Sequence, residues 1–442
     1  MKKQTKVLAV LSTAMMMAAV TPAVFPGVST VYAKTAGWTQ EDGQWRYYDS
    51  YGDYVTDTWK KSGDDWYYLD SDGLRAVSQQ IDEYYVGEDG KRVTSTWISE
   101  ENEDFWSEYD APEYLYRYYA KDGRRLSSTW AVISGKTYYF DEDGIMQTGS
   151  LFLDGHNYYL GDDGARRTGW VSLEDEDSDS DDGNSWYYFD NGGKRIENEI
   201  DKKINGSWYT FVDGRMQTGW FKLPADPGAT ASEAASPASI AGYQYYDEDG
   251  KRAAGWRELE GPEEVRADSD FYSFYFKKGA PYCAQSGLEL FTIDSKRYAF
   301  NVRGEMQTGR QVVNIGDGET ANFYFDDQGV MKTGKLSLEN EDSGELENWY
   351  FHTDGSRKGQ GYNGIKDNTL YIGGLRQDAD SDLRYEPVEF EGKRYLVNTN
   401  GSVQKAGSSS KSSAKPELGK GFKDFKDENE AVWTVNTDGV IQ

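Results

Sequence analysis

From residue 37 onward the large apolar residues come in short runs, each closed by a polar turn. Residues 58–73, TWKKSGDDWYYLDSDG, show the pattern: a Thr-Trp pair, a polar stretch, the run Trp-Tyr-Tyr-Leu, and an Asp-Ser-Asp-Gly turn. Side chains alternate across a strand, so in Trp-Tyr-Tyr the first and third rings share one face and the middle ring takes the other. Both faces must then be covered, and the middle tyrosine is expected in the core. Aromatic runs between glycine-rich turns predict β structure.

The pattern recurs along the chain. Clear copies are WYYLDSDG (66–73), YYFDEDG (138–144), WYYFDNGG (186–193), YYDEDG (245–250), FYFDDQG (323–329) and WYFHTDG (349–355). With degenerate copies such as RYAFNVRG (297–304), RYLVNTNG (394–401) and VWTVNTDG (432–439), there are sixteen. Several turns are followed by Met-x-Thr-Gly, at Met146, Met216, Met306 and Met331. A tryptophan then often opens the next unit, after glycine at Trp170, Trp220 and Trp256, and after threonine at Trp59, Trp97 and Trp130.

Each unit predicts two short strands around a turn. A lone hairpin is marginal in water, and stacking lets hairpins cover one another. The expected fold is all-β: a β-solenoid of stacked β-hairpin repeats with inserted loops. The irregular stretches 98–113, 171–184, 224–241, 257–270, 336–347, 376–391 and 408–430 are each expected between the first strand of a unit and its aromatic strand.

Composition narrows the function. Aromatic residues make up 15% of 442 residues, and the net charge is −28. Such acidity argues against nucleic acid as a partner, because phosphate binding depends on basic side chains releasing counterions. A single cysteine, Cys283, rules out an internal disulfide framework and is expected to be a half-buried strand residue. The first 33 residues read as a secretory signal peptide, with Lys2, Lys3 and Lys6 before an apolar stretch and Val31-Tyr32-Ala33 as the cleavage site. That stretch is short for a membrane span, and no later segment is apolar enough for one. The expected organisation is a signal peptide (1–33), Trp-rich repeats (34–223), an Ala/Ser/Pro-rich loop insertion (224–241) and Trp-poor repeats (242–442).

The unit Gly-Trp, Trp-Tyr-Tyr-Phe, Asp-Gly, Met-x-Thr-Gly-Trp resembles the cell-wall-binding repeat family, which includes choline-binding, glucan-binding and clostridial toxin-type repeats. The resemblance covers residues 37–442 and implies a β-solenoid of hairpins. In its choline-binding branch it implies a ligand cage between consecutive repeats. Such a cage takes the Gly-Trp tryptophan, the first ring of the Trp-Tyr-Tyr run, an aromatic from the next repeat and, in some cases, a methionine. Carried onto this chain, it implies Trp59 and Trp66 with Tyr84 or Tyr85; Trp170 and Trp186 with Trp208; Trp220 with Tyr245 or Tyr246; Trp38 and Trp45 as a terminal site; and Met216 at the methionine position. Aromatic faces suit a quaternary ammonium independently, because they attract a cation without needing a counter-charge.

The chain departs from the family where Thr replaces Gly before Trp59, Trp97 and Trp130, and where Arg310 and Lys335 stand in place of the tryptophan. A basic residue there would repel choline. The C-terminal half is therefore closer to sugar-binding repeats or to units kept for structure.

The function expected is non-catalytic attachment to the cell envelope, secreted and held at the surface without a covalent link. The partner is choline on cell-wall teichoic acid, and no cofactor is implied. The alternatives are a neutral glycan, or a structural stalk or adhesin whose inserted loops contact a host or surface protein. His156 and His352, both expected to face solvent, are too few for a histidine-based metal site or triad, so no enzyme is expected. Asp177, Asp179 and Asp181 match part of a calcium loop, but Gly183 falls one place late and no glutamate closes it. A solvated acidic loop is expected there.

Overall fold

A computed structural model describes residues 35–106, 112–175, 183–225, 239–340 and 342–442. The signal peptide, the three aspartates of the calcium-like loop and most of the Ala/Ser/Pro-rich insertion lie outside the described residues. The chain divides into two compact units. One comprises residues up to Asn198 with Phe211–Met216, and the other comprises Glu199–Thr210 with Gln217–Gln442.

Among the described residues almost all regular structure is β, with short 3₁₀ turns at Glu103–Trp106 and Pro416–Leu418. The strands form fifteen small antiparallel sheets, one of which holds two hairpins, so the sixteen units read from the sequence are sixteen hairpins. In the second hairpin Thr58–Ser62 pairs with Asp65–Leu69, Trp59 opposite Tyr68. Several hairpin turns place both central residues at positive φ, as Asp42-Gly43 and Asp154-Gly155 do, the geometry that matches strand twist. No helix among the described residues is long and apolar enough to cross a membrane.

Alternation assigns each position of the aromatic strand a role. The fourth position is the core: Leu69, Val86, Tyr119, Phe140, Leu160, Phe300, Phe325 and Phe351 are completely buried. The second position shares that face, and Tyr67, Tyr187 and Tyr298 are buried as expected for the middle ring. The first and third positions, such as Trp66 and Tyr68, are half-buried on the other face. The Asp that follows the run closes the turn with its side chain. Asp70 accepts the backbone N–H groups of Asp72 (2.9 Å) and Leu74 (2.8 Å), and Asp247 and Asp326 repeat the arrangement.

Most consecutive hairpins are joined through one residue, two past the turn glycine. Its backbone N–H donates to the carbonyl of the first aromatic-strand position in the preceding hairpin. The bonds run from Arg75 to Trp45 (2.9 Å), Arg92 to Trp66 (2.8 Å), Met146 to Tyr116 (2.8 Å), Arg166 to Thr137 (2.8 Å) and Met306 to Ser273 (3.0 Å). We call this the splice residue. Its side chain crosses the turn of the following hairpin where that turn has glycine. A Cβ at Gly90 would lie 2.7 Å from Arg75 Nε, one at Gly123 2.7 Å from Arg92 Nε, and one at Gly164 2.3 Å from Met146 Sδ. The turn glycine thus meets a positive φ and a close approach at once.

Three sequence expectations need correction. The stretches 376–391 and 408–430 contain the first strands of their hairpins, Glu386–Phe390 and Phe422–Lys426, so most of each insertion precedes its hairpin. His352 is half-buried, with its ring 4.9 Å from that of Tyr362, and burial lowers its pKa. Cys283 is half-buried as expected but lies outside any strand, and burial raises its thiol pKa.

Substitution at the turn glycines should separate their two constraints. Gly90 (φ +76°) and Gly155 (φ +77°) share a conformation, but a Cβ at Gly155 meets nothing within 4 Å. Gly155→Ala is expected to cost about 1 kcal/mol from backbone strain alone. Gly90→Ala should lower the urea midpoint clearly further, and equal midpoints would show that the close approach carries no weight.

Burial raises the pKa of Tyr119 to about 12 against the ordinary 10, opposed by Arg117 and Arg125. It does the same for Tyr246, opposed by the Thr210 hydroxyl. A phenol kept neutral by folding contributes stability fully below pH 10, and that contribution is lost as pH climbs from 10 to about 12. Alkaline titration followed by phenolate absorbance should show a class of tyrosines that ionises together with unfolding. Complete ionisation near pH 10 with the fold intact would contradict this.

Candidate functional site: the aromatic gaps between hairpins

Seven tryptophans occupy one register position, cross-strand from the third residue of the aromatic strand: Trp38, Trp59, Trp97, Trp130, Trp170, Trp220 and Trp256. Each packs on that third-position tyrosine and on an aromatic of the next hairpin. Trp38 lies 5.4 Å from Tyr47 and 5.2 Å from Tyr67, and Trp59 lies 5.3 Å from Tyr68 and 5.4 Å from Tyr84. Trp97 lies 5.1 Å from Tyr118 and 5.2 Å from Tyr138, and Trp130 lies 5.0 Å from Tyr139 and 5.1 Å from Tyr158. Trp256 repeats this with Tyr275 and Tyr298. Aromatic pairs contribute about 0.5–1.5 kcal/mol each beyond buried area, so every wedge holds two hairpins together. It also lines a gap whose walls are ring faces and edges.

The gaps differ in what the splice residue puts into them. In the first, Trp38, Trp45, Ser62, Tyr67 and Arg75 line a cleft. The Arg75 guanidinium lies 5.7 Å from the Trp45 ring and 5.6 Å from Tyr67. In the second, Arg92 lies over Trp59 (5.9 Å), Trp66 (5.5 Å) and Tyr84 (4.9 Å). Arg166 lies 5.5 Å over Trp130. The Nε atoms of Arg75, Arg92 and Arg166 are buried without a hydrogen-bond partner, and burial lowers the pKa of Arg75. In the hairpin pair that Trp97 joins to Tyr138 the splice residue is instead Met146, bonded at its N–H to the Tyr116 carbonyl, and Tyr116 and Met146 line a cleft with Tyr114, Leu115, Ile145 and Asp162. Trp170, Trp186 and Met216 hold the corresponding positions further on.

Residues 53–92 and 126–170 match choline-binding repeats, and residues 181–194 match a cell wall binding repeat. No curated protein sequence matches this chain. Among solved structures, the choline-binding domain of CbpL from Streptococcus pneumoniae is 24% identical, over 50% of this chain and 98% of that domain, with a TM-score of 0.33. The modular autolysin LytC from the same organism, in complex with a synthetic peptidoglycan ligand, is 18% identical over 70% of this chain, with a TM-score of 0.35. The chain spans 56% of that autolysin's length. CbpJ from Streptococcus pneumoniae TIGR4 is 18% identical over 83% of this chain and 99% of its own, with a TM-score of 0.27.

Within these repeats the structure sorts the residues singled out from sequence. Trp38 meets Trp45 in the first gap, and Trp59 meets Trp66 in the second. Tyr84, not Tyr85, faces Trp59; Tyr85 is buried on the opposite face, its ring 5.8 Å from Tyr119, because neighbouring strand residues point to opposite sides. Trp186 is 48% exposed. Trp208 lies under two cations, Lys203 at 5.6 Å and Arg252 at 4.9 Å, and Arg252 also pairs with Asp201. Trp220 pairs with Tyr245, whereas Tyr246 is fully buried with its hydroxyl shared by Thr210 and Gln244. The Trp220 gap is covered by the 257–270 insertion: the indole N–H donates to the Glu260 carbonyl (2.8 Å), and Val265 packs in the same cluster. Arg310 stands in the tryptophan register, as read from sequence, and lies 5.0 Å over Trp349 while pairing with Glu347.

Sequence reasoning passed over the Trp97–Tyr116–Tyr138–Met146 gap and the arginines. The signal was present in the alternation of DGLR, DGKR and DGAR with DGIM and DGRM. Among the described residues no group of three or more His, Cys, Asp or Glu side chains is placed to hold a metal ion.

Two tyrosines should separate buried hydroxyls by their partners. Tyr119 Oη is buried without a hydrogen-bond partner, whereas Tyr246 Oη is bonded to Thr210 and Gln244. Tyr119→Phe is expected to leave thermal stability unchanged or slightly raised. Tyr246→Phe should cost about 1–3 kcal/mol by stranding its partners. The reverse order in thermal unfolding would overturn this assignment.

Proposed function

We propose that this chain is an exported, non-catalytic protein that attaches without a covalent link to the cell envelope, binding choline of teichoic acid in the aromatic gaps between its repeats. One observation carries the reading: at Trp45, Trp59, Trp66 and Trp130 the chain's own guanidinium groups already lie against the rings, so these gaps are cation-binding surfaces. A quaternary ammonium is the ligand such a surface fits, because it needs ring faces and no hydrogen-bond acceptor. The repeat matches support the same class of ligand.

Three ring faces at about 1–1.5 kcal/mol each supply roughly 4 kcal/mol, which corresponds to a Kd on the order of 1 mM. Single sites that weak anchor a protein only when several engage one polymer, and teichoic acid displays its choline in that way. In this reading the splice bonds and tryptophan wedges propagate each unit as a β-solenoid, residues 1–33 are the signal peptide, and the insertions are loops. The rings at Trp220 and Trp349 serve packing, since Glu260 with Val265 covers one and Arg310 covers the other.

Titration of the mature chain with choline, followed by tryptophan fluorescence, tests the proposal, with glycerol and glucose oligomers as controls. A saturable change with choline is expected, reduced in Trp97→Ala and in Trp170→Ala. Response to the glucose oligomers alone would transfer the repeats to neutral glycans. Silence to every ligand would leave the rings as core and the inserted loops as the contact surface.

A further inference from the structure

We infer that the splice residue decides which gaps accept ligand. Arginine at 75, 92 and 166 acts as a built-in cation that keeps three aromatic gaps closed, and methionine at 146 leaves the Trp97–Tyr116–Tyr138 gap open to a quaternary ammonium. This deepens the choline reading and rests on it.

The argument starts from the arginines' surroundings. The chain has 76 acidic residues against 48 basic ones, so a carboxylate is the commonest partner a guanidinium could find. Arg195 and Arg252, also splice residues, do pair with carboxylates, Glu197 and Asp201. Arg75, Arg92 and Arg166 form no ion pair among the described residues, and their buried Nε atoms have no partner. What surrounds them is rings. Arg75 lies over two rings, Arg92 over three and Arg166 over one; a guanidinium so held uses the attraction a quaternary ammonium would use, and it repels a second cation brought to the same faces.

Each guanidinium is also prevented from swinging aside. The splice N–H is bonded to the preceding hairpin, and the stem passes beneath the next turn. A Cβ at Gly90 would lie 2.8 Å from Arg75 Cδ, one at Gly123 3.0 Å from Arg92 Cδ, and one at Gly193 2.4 Å from Arg166 Cδ. With both ends of the stem fixed, the charge is delivered to the gap and held there. Met146 follows the same path, bonded at its N–H to Tyr116 and lying under Gly164, but it brings a neutral thioether. In the hairpin pair it joins, Trp97 lies 5.2 Å from Tyr138 and Tyr116 is 41% exposed, so ring surface stays within reach of a ligand.

The test counts choline sites on the mature full chain by equilibrium dialysis and calorimetry, with circular dichroism confirming the fold. Met146→Arg is expected to remove one site and leave the affinity of the rest unchanged. Arg75→Met with Arg92→Met, a residue this scaffold already accepts at the splice, is expected to add sites. If that double variant fails to fold, Arg92→Gln keeps a long neutral stem and should add one site. Wild type that binds choline with a stoichiometry none of these substitutions alters overturns the gate and leaves the choline reading standing. Wild type that binds none, with the double variant binding, upholds the gate and removes choline as the native ligand. Absence of binding in wild type and in both arginine variants overturns both.

Discussion

The hydrogen bond from the splice residue to the preceding hairpin is the constraint on which the rest of these repeats depends. Two-stranded hairpins of five or six residues have too little buried surface to persist alone. Here most are tied to their predecessor by a backbone N–H that no strand partner uses, as from Arg92 to Trp66 and from Met331 to Arg297. That bond places the splice side chain beside the first ring of the earlier hairpin and directs it toward the next turn. One residue therefore touches three consecutive hairpins, which explains why the turn after it so often requires glycine.

The tryptophan wedges share this load. Each joins a tyrosine of its own hairpin to an aromatic of the next, and where that next ring is a tyrosine the distance stays between 4.9 and 5.4 Å, at Trp38, Trp59, Trp97, Trp130 and Trp256. In the proposed function the rings that join hairpins also form the binding walls, so packing and recognition would draw on the same residues. The difference between a binding gap and a filled one then rests on what else enters it. At Trp220 an inserted loop enters and at Trp59 the splice arginine, whereas the hairpins joined by Trp97 carry a splice methionine.

Charge acquires a specific place in this arrangement. The overall acidity keeps most basic side chains in ordinary surface pairs such as Lys136 with Asp163, which contribute little to stability. The few arginines drawn between rings lie apart from that network. Their cost is a buried donor left without an acceptor, and their return is a cation held against several ring faces.

The sequence by itself determined the hairpins, their number, the aromatic strand and the burial of its middle ring. These are local consequences of period-two alternation and Asp-Gly turn chemistry, and they appear as read at Tyr67, Tyr187 and Asp70. It also exposed the tryptophan register, including its loss at Arg310. Only the tertiary structure decided which rings meet across hairpins. Tyr84 and Tyr85 are equivalent in composition and opposite in facing, and strand register alone separates them. The alternation of arginine and methionine after the turns was legible at Arg75 and Met146, but what those side chains meet was not. A residue beyond a turn has no strand pattern of its own, and it acquires its position from a backbone bond to a hairpin more than twenty residues earlier.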